Sequence, residues 1–84
     1  MSAHLITIRR VLRVLGLLGN GAHNHTRLRE DLNLDGAAQT DLHYELEDEY
    51  RITIRGQEFD KFSTIGDIVT YLTNHNIPAP HEPI

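Results

Sequence analysis

Eighty-four residues, a formal net charge of -4 and no cysteine describe one small domain with a modest core, and exclude a disulfide framework or a thiolate zinc centre. No apolar run is long enough to span a bilayer. The charge is divided along the chain. Residues 1–29 hold five arginines and no acid, whereas residues 30–49 hold eight acids and neither lysine nor arginine. Phosphate repels such an acidic block, which argues against a nucleic-acid partner; the block suits a basic protein surface or a solvated helix face.

The opening MSAHLITIRRVLRVLGLL is acid-free and amphipathic, as organelle targeting segments are. Its Leu5, Ile8, Leu12 and Leu15 follow the spacing of a core-facing helix, and without them the rest of the chain lacks a packing partner. They predict the first helix, ended by Gly16, Gly19 and Gly21. A long polar connection, residues 19–34, follows, with Leu28, Leu32 and Leu34 pinning it to the core. Asp35 is a suitable N-cap. Leu42, Leu46 and Tyr50, four residues apart, form the inward stripe of the second helix. At 3.6 residues per turn its opposite face is Ala37, Thr40, Asp41, Tyr44, Glu47 and Asp48, an acidic rim with one outward aromatic.

RITIRG alternates like a strand but has no partner for its backbone groups, so it reads as an extended link with Ile54 buried. A short helical turn over residues 57–61 follows. Thr64 caps a last helix bearing Ile65, Ile68, Val69 and Leu72. IPAPHEPI is a proline-broken end. The expected fold is all-α: a bundle of three main helices plus one short helix, with a long first loop. Residues 1–76 form the domain and 77–84 a flexible proline-rich tail. The expected core includes Leu12, Leu15, Leu32, Leu42, Leu46, Ile54, Ile65, Ile68 and Leu72.

The order of several short pieces carries a further meaning. Glu30-Asp31-Leu32 is followed by Asp35, by LHYELEDEY over 42–50, by Ile54, by Lys61-Phe62-Ser63-Thr64-Ile65 and by Tyr71-Leu72. Together these resemble the acyl carrier protein family over about residues 4–75. The family's pieces are E-D-L, D-S-L, an L-x-x-x-L-E-E-x-F helix and a K-I-T-T-V stretch. The resemblance implies an attachment serine for 4′-phosphopantetheine directly after Asp35. Gly36 stands there and has no oxygen to phosphorylate, so the cofactor is not expected. Ser2 and Ser63 lack the family's surroundings, and Thr40 carries its hydroxyl one turn further on. Ala37 and Ala38 also replace the usual leucine and acid, and Tyr44 replaces a smaller apolar residue. The change is regional, which favours divergence over a single mutation of the serine.

A second motif overlaps the first. Asp31, Asn33, Asp35 and Gly36 read D-x-N-x-D-G, the first half of a calcium loop, but the closing carboxylate position falls on Leu42. His23 and His25 flank Asn24, and two such ligands do not make a zinc site. His43 lies beside the carboxylates of the second helix. No nucleophile with its base is visible, so an enzyme is not expected.

The favoured reading is a monomeric, cytoplasmic, cofactor-free binding module. It docks on the basic surface of a carrier-recognising enzyme or regulator through Asp35, Ala37, Asp41, Tyr44, Glu47 and Asp48. The alternative is a genuine carrier of fatty-acid or polyketide-type synthesis whose serine has been mutated; a calcium-binding structural domain is a distant third. Neither nucleic acid nor a membrane is an expected partner.

Overall fold

The computed structural model describes residues 2–18 and 21–80. Gly19, expected among the helix-ending glycines, and residues 81–84 of the expected tail lie outside them. Four helices follow in order: α1 Ala3–Val14, α2 Gly36–Tyr50, α3 Gly56–Phe59 and α4 Ile65–Asn74. Among the described residues there is no strand; Arg27 and Thr64 form an isolated antiparallel bridge. No described helix is long and apolar enough to cross a membrane.

Helix α1 starts where Ser2 accepts the Leu5 amide on its hydroxyl at 3.0 Å, an N-cap that satisfies one otherwise orphaned donor. Its Leu5, Ile8, Val11 and Leu12 are buried and pack it against α2 and α4. Leu42, Leu46 and Tyr50 form the buried stripe of α2, and Ile65, Ile68 and Leu72 that of α4. Ile54 in the extended link and Phe59 in α3 close the core. Burying a side chain of this size contributes about 1.5–3 kcal/mol relative to exposure.

Two core expectations shift. Leu15 and Leu32 are only partly buried at the rim. Leu15 is the C-cap of α1 and no longer continues its stripe. Of the three leucines expected to pin the loop, Leu28 and Leu34 are buried and Leu32 is not, because Asn33 between Leu32 and Leu34 takes a left-handed φ of 55° and breaks the local alternation. At the other end, Ile77 packs against the core. Pro78, Ala79 and Pro80 border a hollow beside Glu49, Tyr50 and Arg51.

The long loop is held by the start of α4. Thr26 O accepts from Ile65 N at 3.0 Å, and Asn24 O accepts from Gly66 N at 2.7 Å. Thr64 and Asp67 complete a capping box, and Leu28 N returns to Ser63 O at 2.9 Å. The donors that a helix leaves open at its N-terminus therefore anchor the loop. The contact is so close that a Cβ on Gly66 meets Asn24 O at 2.8 Å.

Gly66→Ala is therefore expected to destabilise the domain by about 1–3 kcal/mol, even though alanine raises helix propensity by up to about 1 kcal/mol. Urea unfolding checks it, and unchanged or increased stability would show that the loop can yield. Tyr50 supplies a second expectation. Its hydroxyl lies 2.9 Å from His4 Nδ1, and burial pushes its pKa up from 10.0 to about 12. The folded state holds this proton more tightly than the unfolded one. The contribution is complete below the unfolded pKa and is lost as pH rises from about 10 towards 12. Tyr71 is raised in the same direction, also chiefly by burial, so wild type must be compared with Tyr50→Phe. Stability measured across that range should fall less steeply in the variant.

Candidate functional site

The candidate site is the outward side of α2 with the residues at its start. Asp35 Oδ1 accepts the Ala38 amide at 2.8 Å, and Thr40 Oγ1 donates to Gly36 O at 3.0 Å. Gln39 Nε2 donates to Leu34 O at 3.3 Å, while its Oε1 accepts from Arg29 at 3.1 Å. These bonds tie the first turn of α2 to the end of the loop. Gly36 and Ala37 are exposed on that turn. A Cβ built on Gly36 meets nothing within 4 Å, so the place has room for a side chain. Beside it is a shallow depression of about 250 Å³ lined by Gly36, Gln39, Thr40, His43, Phe59 and Asp60.

Gly36 brings no hydroxyl to this platform, so the residues present do not fit a phosphodiester-linked arm at that position. The Thr40 hydroxyl is already engaged with the Gly36 carbonyl. In the Asp31–Asp35 stretch the carboxylates are engaged within the chain. Arg27 holds both carboxylate oxygens of Asp31 through its guanidinium at 3.2 and 3.0 Å, and the Arg27 amide adds a bond at 2.8 Å. These interactions keep the Asp31 carboxyl below its ordinary pKa, the Arg27 side-chain bond foremost. Asp35 is occupied as a cap, and Leu42 is fully buried. Among the described residues no three His, Cys, Asp or Glu side chains are grouped to hold a metal.

The acidic row divides in two. Asp41, Tyr44 and Asp48 are exposed, Tyr44 at 63%. Glu47, expected on the same rim, turns inward. Its carboxylate accepts the Ile54 amide at 2.8 Å and lies 3.5 Å from His43 Nε2. That side chain is not free for docking; it fixes the extended link to α2. Glu49 pairs with Arg10 of α1.

His43 is the residue that sequence reading undervalued. It is half-buried, and Nε2 lies 2.6 Å from Ile54 O. A carbonyl only accepts, so Nε2 carries the proton. The ring stacks on Phe59 at 4.5 Å with planes 6° apart and lies 5.8 Å from Tyr44. Phe59 continues edge-on to Phe62, and Phe62 to Tyr71. The exposed Tyr44 thus stands at one end of a row of rings reaching α4. The i,i+4 spacing of His43 and Glu47 was the available signal. His23 and His25, in the long loop, stack on each other at 5.6 Å.

No family model matches the chain. Among solved structures, one described as "a putative acyl carrier protein" from Mycobacterium tuberculosis is 32% identical, covers 87% of this chain and 93% of its own, and superposes with a TM-score of 0.67.

The division of the acids gives a direct expectation. Glu47→Ala leaves the Ile54 amide without its acceptor and should cost about 1–3 kcal/mol, whereas Asp48→Ala should stay within about 0.5 kcal/mol of wild type. Thermal unfolding of the two variants side by side checks the assignment; equal losses would contradict it.

Proposed function

This chain belongs to the acyl carrier protein family, and we propose that it works there as a cofactor-free docking module. It lacks an arm at Gly36 and meets enzymes or regulators that recognise carriers. The observation that carries the reading is Tyr44, exposed between Asp41 and Asp48 on the helix that starts at Gly36. Exposed carboxylates steer a partner with a basic patch and act mainly on the association rate. A desolvated tyrosine is a frequent interface anchor and slows dissociation. Asp35 and Ala37 border the same surface at the start of α2, and Glu47 supports it from within. The chain supplies a surface and no catalysis of its own, and acts in the cytoplasm.

A second reading has one observation in its favour. The open space at Gly36 and the intact Asp35 cap are what a serine-bearing carrier requires, as in a carrier whose serine was replaced by mutation. The encoding gene separates the two readings, since the second requires a serine codon there. A part in fatty-acid synthesis belongs to that second reading first.

Two measurements test the proposal together. With coenzyme A and a broad-specificity phosphopantetheinyl transferase, wild type should keep its mass and Gly36→Ser should gain the arm. A stoichiometric gain by wild type contradicts the cofactor-free reading. With the same transferase immobilised, Tyr44→Ala should dissociate faster by about tenfold. The double substitution Asp41→Lys with Asp48→Lys should slow association by about tenfold at low salt, and less at high salt. Binding that ignores these substitutions would move the docking surface off α2.

A further inference from the structure

The large apolar side chains exposed among the described residues are Ile6, Val14 and Tyr44. They fall on two helices of opposite charge. On α1, Ile6, Arg9, Arg10 and Arg13 line one shallow hollow of about 340 Å³, and Val14 lies 72% exposed at the end of the same helix. At 100° per residue these five positions fall within one outward face. Arg10 spends its charge on Glu49 of α2, whereas Arg13 is exposed. The outward face of α1 carries no acid. On α2 the exposed face sets Tyr44 between Asp41 and Asp48, and there is neither lysine nor arginine from Gly36 to Tyr50.

Each face has what the other lacks. Ile6, 52% exposed, is a shallow apolar seat on an acid-free helix face, with the exposed Arg13 on one side and Ala79 and Pro80 bordering it on another. Tyr44 at 63% is an apolar projection rimmed by negative charge. Arginine's planar guanidinium also stacks on aromatic faces, more often than a lysine ammonium sits over them.

We propose that the α1 face is a docking surface for the acidic α2 face of a second copy of this chain. The contact is heterologous: α1 of one molecule receives α2 of the next, so each molecule offers one seat and one projection. The surfaces are small, and contacts burying less than about 1,200 Å² are transient. The association is therefore weak, strengthened by low salt and by concentration. A monomer, expected from the sequence, then describes the dilute chain. The proposal does not require that any enzyme docks on α2, although an assembled chain would have that face covered in all but its terminal copy.

Analytical ultracentrifugation of the full chain tests this from about 10 µM to about 1 mM, at ionic strengths of about 0.02 M and about 0.5 M. At low salt the weight-average mass should rise by about half or more at the highest concentration, and it should return to that of one chain at high salt. Arg13→Glu destroys the seat and Asp48→Arg the projection; circular dichroism confirms that each variant stays helical. Each alone should remain single. Mixed in equal amounts they should gain mass, because the intact projection of the first meets the intact seat of the second and the two reversed charges are again opposite. A wild-type mass that stays at one chain throughout the low-salt series overturns the proposal. So does association of either folded variant to the wild-type extent, or a mixture that gains no mass over its parts.

Discussion

The bundle depends on how the first turn of α4 is satisfied. A helix buried on one side cannot leave its leading amides bare, and a side-chain cap meets only part of that demand. Here Thr26 and Asn24 of the long loop supply two backbone carbonyls, and Thr64 supplies the cap. The same contacts order a loop that has too little apolar surface to order itself. Thr26 is buried there, and its hydroxyl accepts the His23 amide at 2.8 Å. Loop and helix are thus mutual conditions. With α4 seated on α1, Ile65, Ile68 and Leu72 are buried in the core, and the loop can deliver Asp35 to the start of α2.

The second organising element is Glu47. One acid taken from an acidic helix accepts the Ile54 amide and lies beside His43, which donates to the carbonyl of the same residue. Both backbone groups of Ile54 are thereby paired without a strand. Its side chain enters the core at 2% exposure. The acidic helix consequently does two jobs, with Glu47 structural and Asp41 and Asp48 left to solvent.

The helices were legible because their stripes repeat. Leu42, Leu46 and Tyr50 are spaced so that only a helix puts them on one side, and Asp35 and Thr64 announce their caps. That glycine stands at 36 is read directly from the chain, while the serine expected there is what the family resemblance implies. Loop details were not. Leu32 and Leu34 look alike in sequence, and the left-handed Asn33 decides which is buried. The loop-to-α4 bonds join backbone atoms, which leave no side-chain signature apart from a glycine inside a helical pattern at 66. Arg51 ends α2 in the left-handed region with φ 55°, where glycine is usual, so the end of that helix is marked only by the close of its stripe. Glu47 was misplaced because periodicity gives an angle around a helix and says nothing of how far a long side chain bends back.

The empty space around Gly36 has a practical meaning. The chain contains no cysteine, and a Cβ at this position touches nothing within 4 Å. A cysteine placed there becomes a unique, accessible thiol on a rigid helix start whose own stabilising bonds come from Asp35 and Thr40. Thioether chemistry can then mount a spin label, a fluorophore or, as a test of the proposed site, a pantetheine mimic at the start of α2. The orientation of α2 becomes open to distance measurement without disturbing any packed residue.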